Sequence, residues 1–385
     1  MKKVLFVIGN MEIGGTRTSL INLLNNLKNE KNIAIDLLII SPKGELMNEV
    51  PNYVNIKSSG VFLESFFENI SVVNLCSSFI HIMISILKTI FGYNLIFKFL
   101  YKNMANNLKK ENEYDAVIGF QEGISDDAAS FVHGKKHYSW VHSNLDVWFN
   151  KKDYCESTFM KSDNIIFVAE ATKQNFIKKF PYFRDKCIVI KNTINSEEII
   201  NKSRLDDDIK FQIDHCLQFV SIGRFNPEKA FERIIEVSNY LISSGLTNFI
   251  WYIIGDGVEK NRIEGLIKIY GLSSNVILLG AMSNPYKILS RCNCLILTSL
   301  SESQPMVILE SLILKIPVIT TKFDSAIEIA QGAEHTYICD NSITGLENAI
   351  ANYMNDENLR FKMKESAKKF KYDCNDTILS IKNLL

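Results

Sequence analysis

Short apolar runs alternate with polar, turn-rich stretches along most of the chain. Runs at residues 3–8, 35–40, 114–120, 137–141, 164–169 and 187–191 predict strands in the first half. Runs at 217–222, 249–254, 275–280, 294–297 and 317–320 predict strands in the second. Between them the period changes to that of a helix. Residues 16–27 carry Leu20, Leu23, Leu24 and Leu27 on one face. Glu170 opens another helix. Pro305 suits a first helical position, where a missing N–H is tolerated, and Met306 to Leu309 carry that helix to Glu310. Residues 357–385 are helical in pattern. Strand and helix in alternation predict an α/β chain of Rossmann-like parallel-sheet domains. In such sheets ligands sit beyond the carboxyl ends of the strands, and helix starts there favour anions.

One stretch breaks the alternation. No Asp, Glu, Lys or Arg occurs between Glu68 and Lys88. Asn74, Ser77, Ser78, His81, Ser85 and Lys88 nevertheless recur at steps of three or four, a polar stripe on a helix with a wide apolar face. Residues 93–110 add Phe97, Phe99, Leu100 and Tyr101 beside Lys98, Lys102, Lys109 and Lys110. Basic and aromatic side chains together suit a membrane surface or an acceptor channel. A core helix and a true membrane span are the other readings of 70–110. Residues 196–214 are polar, include Asp206-Asp207-Asp208, and are read as a linker region. The expected division is a first domain over 1–195, a linker over 196–214, a second domain over 215–365, and a helix over 366–385 that returns to the first.

Composition narrows the function classes. A length of 385 residues suggests two or three domains, and 46% hydrophobic with 22% charged residues is globular. The formal net charge of zero gives no support to a nucleic-acid partner. The eight cysteines form no C-x-x-C pair, and Cys292-x-Cys294 reads as structural, so the expected setting is a reducing cytoplasm without disulfides or zinc. Met1-Lys2-Lys3 and the apolar run after it imitate a signal peptide. The run is short and meets Glu12 without a cleavage site, so it is taken as the first strand.

Candidate chemistry collects at predicted strand ends. Gly14-Gly15-Thr16-Arg17 follows the first strand, and without Cβ atoms Gly14 and Gly15 would let a phosphate or sugar approach the backbone. His142 ends the run Trp140-Val141-His142-Ser143. Gly223-Arg224-Phe225-Asn226-Pro227-Glu228-Lys229 follows the strand at 217–222, where Arg224 can fork onto phosphate oxygens and Lys229 adds a point charge. Gly255-Asp256-Gly257 is a turn. Glu302 lies in the loop after 294–297 and Glu310 in the helix beyond, with seven residues between them. Two carboxylates beside an anion site suit a ligand with both phosphate and hydroxyls.

These motifs resemble retaining glycosyltransferases of family 4, also called glycosyl transferases group 1, of the bacterial surface-polysaccharide type. The pair Glu302 and Glu310 resembles their E-x7-E motif, although Ser303 and Gln304 stand where Gly and Phe are usual. The 223–229 loop resembles G-R-x-x-x-x-K, and Gly14 to Arg17 resembles the G-G-x-x-R opening. The resemblance implies a GT-B fold, with two Rossmann-like domains facing a central cleft. It implies a metal-independent enzyme without a cofactor, using a UDP- or GDP-sugar as co-substrate and a glycan or lipid-linked glycan as acceptor. The expected setting is the cytoplasm, at the inner membrane surface, in polysaccharide (for example capsule) synthesis. By the same resemblance, Arg224 and Lys229 would stabilise the departing diphosphate, helped by the N–H groups of Met306 and Val307. Glu310 would hold the ribose, Glu302 the donor sugar, and His142 would contact that sugar. Met282 and Lys287 align with positions that meet the base, largely through the backbone. A catalytically silent partner of another transferase and a GT-B epimerase of nucleotide sugars are the rival readings. Asp206 to Asp208 satisfies a D-x-D metal pattern, but it sits in a polar stretch with Lys210 close by.

Overall fold

The computed structural model describes residues 1–60, 63, 93–109, 113–143, 156–205 and 216–385. Residues 70–92 of the apolar segment and Asp206 to Asp208 lie outside them. The chain divides into two compact units: Met1–Ile194 with Cys374–Leu385, and Asn195–Asp373.

Among the described residues, unit 1 carries a seven-stranded sheet. Its strands are β1 (Lys2–Ile8), β2 (Ile33–Ile39), β3 (Asn55–Ser58), β4 (Tyr114–Gly119), β5 (Gly134–Val141), β6 (Asn164–Phe167) and β7 (Cys187–Val189). The order is β3-β2-β1-β4-β5-β6-β7 and every pairing is parallel. The strand order reverses between β1 and β4, which makes the carboxyl ends of these two strands the switch point of the sheet. Both faces are covered, so the central strands read as unbroken apolar runs. Val4, Phe6 and Ile8 enter one core with the helix Gly15–Leu27, and Leu5 and Val7 enter another with the helix Tyr93–Lys109. Asp36, buried in β2, is held by the Tyr114 hydroxyl at 2.8 Å and by the Asn55 amide at 3.0 Å.

Unit 2 has a six-stranded sheet in the order β10-β9-β8-β11-β12-β13. The strands are β8 (Leu217–Ile222), β9 (Phe249–Ile254), β10 (Val276–Gly280), β11 (Cys294–Leu297), β12 (Val318–Thr321) and β13 (Thr336–Cys339). All pairings are parallel. The Trp251 indole donates to Ser221 Oγ at 2.9 Å, and that hydroxyl donates to the Ile296 carbonyl at 2.6 Å, so a polar chain ties three strands inside the core.

Two strands escape the sequence pattern. β3 (Asn-Ile-Lys-Ser) and β13 (Thr-Tyr-Ile-Cys) are edge strands of four residues, each too short and mixed to stand out as an apolar run. The polar stretch from residue 196 also differs from a linker. Ser196–Ser203 is a helix of unit 2, capped by the Asn195 side chain on the Glu198 N–H at 3.0 Å. Ile199 anchors its inner face, and its solvated face accounts for the polar composition. The tail is two helices rather than one. Glu357–Lys369 stays with unit 2, while Asn375–Leu384 belongs to unit 1. There Ile381 and Leu385 join the core, and the Leu384 carbonyl accepts from the Tyr138 hydroxyl at 2.9 Å.

Candidate functional site

In unit 2 the loops after β8, β9, β10 and β11 gather the predicted residues at the carboxyl ends of the strands. The loop after β8 is packed tightly on the turn after β9. A Cβ on Gly255 would lie 1.9 Å from the Gly223 carbonyl oxygen, and one on Gly257 would lie 2.5 Å from the Phe225 carbonyl oxygen. Both glycines have positive φ, 149° and 156°. The Asn226 side chain caps the turn Pro227–Lys229, and Ala230 takes a left-handed conformation at φ 49° to leave it. The Lys229 carbonyl accepts from the Thr298 hydroxyl at 2.8 Å, and the Glu228 carbonyl from the Leu300 N–H at 2.8 Å. These two bonds tie the β8 loop to the β11 loop.

Across that seam Lys229 Nζ donates to Glu302 Oε1. The Ser299 hydroxyl donates to the same oxygen at 2.8 Å, and the Glu302 carbonyl accepts from the Ser325 hydroxyl at 2.9 Å. The pair is mostly shielded, with 23% of the Lys229 and 14% of the Glu302 side chain exposed. Arg224 stands exposed on the same loop.

The helix Met306–Ile313 begins one residue later than the sequence suggests. Pro305 is its N-cap and Met306 its first residue, so Met306 and Val307 form the first turn, where backbone N–H groups lack intrahelical partners. All eight of its residues are buried, Glu310 included. Burial pushes the Glu310 carboxyl up to about 7. Its Oε1 accepts from the Tyr286 hydroxyl at 3.2 Å. Tyr286, raised well above its ordinary value by burial and by Glu310, starts the short helix that carries Lys287. Met282, half-buried, packs in the same core as Tyr286 and Val307. Tyr286 therefore joins the 282–287 loop to Glu310. Sequence reasoning missed it, although an aromatic hydroxyl beside Lys287 was an available signal.

In unit 1, Gly14 caps the helix Gly15–Leu27 in an extended conformation that any residue adopts, so its backbone angles do not require glycine. Arg17 turns back to Asn10, with Nε at 3.3 Å from the carbonyl and a guanidinium nitrogen at 3.0 Å from Oδ1. His142 follows β5, its ring 4.7 Å from that of Phe120 and 6.2 Å from that of Trp140. Burial, with Arg17 nearby, drops its pKa to about 3, so the imidazole is neutral. The His142 N–H donates to Glu122 Oε2 at 2.8 Å. Glu122 is 3% exposed, and burial raises its carboxyl against the opposing pull of the His142 N–H and Arg17. Glu122 too was missed: it lies 20 residues from His142 in the chain and meets it only through the pairing of β4 with β5. Among the described residues no group of three or more His, Cys, Asp or Glu is placed to hold a metal ion, and no helix is long and apolar enough to cross a membrane.

Residues 206–370 match the family model for glycosyl transferases group 1. An uncharacterized glycosyltransferase of Methanocaldococcus jannaschii is 30% identical over 195 residues, covering 48% of each chain. The chain matches about half the length, or less, of the first such relatives. A longer match, 23% identical over 384 residues, covers 96% of this chain and 93% of a Campylobacter jejuni protein. That protein is named as an alpha-1,4-N-acetyl-D-galactosaminyltransferase for a GalNAc-bearing diNAcBac-PP-undecaprenol. Among solved structures, Anabaena HepE in complex with UDP and glucose has a TM-score of 0.74 at 15% identity, covering 100% of this chain and 99% of that one. The two parallel-sheet units thus have the GT-B fold.

Proposed function

We propose that this chain, which carries a glycosyl transferases group 1 region over residues 206–370 on a GT-B fold, is a retaining glycosyltransferase. It moves a sugar from a nucleoside diphosphate sugar to a glycan or lipid-linked glycan acceptor in surface-polysaccharide synthesis. The observation that carries the proposal is the joined pair of sites in unit 2: Lys229 on Glu302, and Tyr286 on a buried Glu310, either side of one helix start. The fold neighbour with UDP and glucose, and the relative named for an undecaprenol-linked glycan, support the donor and acceptor classes.

Unit 2 holds the donor. Arg224 and Lys229 stabilise charge growing on the leaving diphosphate, together with the first N–H groups of the helix at Met306 and Val307. Lys229 exchanges its bond to Glu302 for one to phosphate, which frees the Glu302 carboxylate to accept donor-sugar hydroxyls. Glu310 accepts from ribose hydroxyls, and the loop from Met282 to Lys287 lies along the base. Gly14, Gly15 and His142 serve the sugar end of the ligand. Arg224, Lys229 and the helix start supply the positive charge that a divalent metal would otherwise bring. Transfer should accordingly persist in excess EDTA, and restoration of a chelator-killed activity by magnesium or manganese would overturn that point.

The acceptor is presented at the inner membrane surface. Support comes from the helix Tyr93–Lys109, where Leu95 and Phe99 are 62% and 71% exposed beside exposed Lys98 and Lys102. The deciding experiment offers the protein a panel of UDP- and GDP-sugars and follows release of nucleoside diphosphate by mass spectrometry. Slow release from one donor is expected and names both base and sugar. A folded protein that neither binds nor cleaves any of them is not a transferase.

A further inference from the structure

In unit 1 the turn from Asn10 to Arg17 after β1, Glu122 and Ser125 after β4, and His142 after β5 come together around the switch point of the sheet. A Cβ on Gly9 would lie 3.8 Å from the Ser125 hydroxyl, and the Arg17 charge is felt by both Glu122 and His142. Among the described residues, the buried side-chain atoms without a hydrogen-bond partner in this quarter include Glu122 Oε1, His142 Nε2, Trp140 Nε1 and both carboxyl oxygens of Asp126. Buried polar atoms in folded proteins are almost always paired, so a cluster of unpaired ones marks groups kept for a ligand.

We propose that Glu122 is a ligand-contacting residue, whose Oε1 accepts a hydrogen bond from a hydroxyl of a polyhydroxylated ligand seated beside His142 at the carboxyl ends of β1, β4 and β5. Its two oxygens divide the work. Oε2 takes the His142 main-chain N–H at 2.8 Å and fixes the turn after β5, while Oε1 remains for the ligand. The chemistry favours a neutral hydroxyl over an anion. The Glu122 carboxyl would oppose a phosphate, the buried Asp126 is driven towards its neutral acid and offers no cation to attract one, and the Arg17 guanidinium is already held by Asn10. The neutral imidazole of His142 can donate to or accept from a second hydroxyl. A sugar ring carries such hydroxyl pairs. The inference deepens the transferase proposal and rests on it for the ligand being the donor sugar or the acceptor glycan, which share this chemistry.

The test uses the full chain and Glu122→Gln, which keeps a carbonyl oxygen for the His142 N–H but turns the other position into a donor. Saturation-transfer NMR against a panel of monosaccharides reads sugar contact without needing turnover. The wild type should transfer saturation to at least one sugar, and Glu122→Gln should lose most of it. In kinetics, the variant should keep its melting temperature within ~2 °C and its affinity for nucleoside diphosphate within about twofold. Transfer should fall about 30-fold. The wild-type rate should drop on acidification through the raised pKa of Glu122, and the variant should lack that limb. Loss in donor hydrolysis without acceptor assigns the hydroxyl to the donor sugar. Loss confined to transfer, with a raised acceptor KM, assigns it to the acceptor. Wild-type saturation, rate and pH profile in Glu122→Gln overturn the proposal, as does a loss that tracks a lowered melting temperature. If no nucleotide sugar is turned over yet the NMR contact depends on Glu122, the transferase proposal falls and the hydroxyl site stands.

Discussion

Glu310 is buried in a helix, accepts a hydrogen bond from the Tyr286 hydroxyl, and has its pKa pushed by burial to about 7 from near 4.5. Its folded pKa lies above its unfolded one, so the folded state binds the extra proton between these values. The associated stability is full below about pH 4.5, declines as pH rises through about 7, and is absent above. The size is on the order of 3 kcal/mol. Glu310→Gln should flatten the fall of stability between pH 5 and 8, read by urea unfolding at each pH; an unchanged slope would remove Glu310 as its source. If Glu310 grips ribose, Glu310→Ala should weaken nucleoside diphosphate binding by about 1–3 kcal/mol in calorimetry. Lys229→Ala should weaken the same ligand by about 10-fold or more, since it removes a charge-assisted bond to phosphate. Much of this site was legible in the sequence, because Arg224, Lys229, Glu302 and Glu310 fall in two compact stretches with recognisable spacing. Tyr286 and Glu122 were not, since their partners lie 24 and 20 residues away and adjacency arises only when loops converge.

At the scale of elements, the seam between the turns after β8 and β9 is the most exacting contact near the proposed donor site. Gly255→Ala would drive a methyl group into the Gly223 carbonyl at a φ that side chains rarely adopt. It should destabilise the protein by about 2 kcal/mol or more and displace Arg224 and Lys229 together. Gly245→Ala makes the comparison. It also has positive φ but open space around its Cβ, so it should lower the melting temperature without touching nucleotide affinity. Equal nucleotide affinity in the two variants would detach the seam from binding. The helix Tyr93–Lys109 yields a second element-level expectation. Co-sedimentation with anionic vesicles should be lost in high salt and in Phe99→Glu, and binding that resists salt would argue against surface docking. The element pattern was readable wherever strands are central and doubly covered. It failed at β3 and β13 because edge strands need no continuous apolar run, and at Ser196–Ser203 because one buried Ile199 leaves a mostly polar helix.

For the whole molecule, the main constraint is that the segments of unit 1 are not contiguous. Residues Asn195–Asp373 form unit 2, and Cys374–Leu385 then supplies Ile381 and Leu385 to the core of unit 1. Deleting 374–385 should therefore lower the stability of unit 1 and spare unit 2, which separate unfolding transitions would report. A single unfolding transition of unchanged midpoint would refute this. The tail's helical pattern predicted a helix, and its destination came from resemblance, because nothing local in Asn375–Leu384 says which core Ile381 will enter. The same arrangement sets a schedule during synthesis. Once Ile194 has left the ribosome, 179 further residues must follow before Cys374 does. At typical elongation rates of 5–20 residues per second that interval is roughly 10–35 s. Throughout it, the part of the unit 1 core that Ile381 and Leu385 will complete stays open on a nascent chain, while unit 2 can close on itself as soon as it emerges. Unit 2 is the unit that can be complete on leaving the ribosome, and the open patch on unit 1 is where a chaperone would bind.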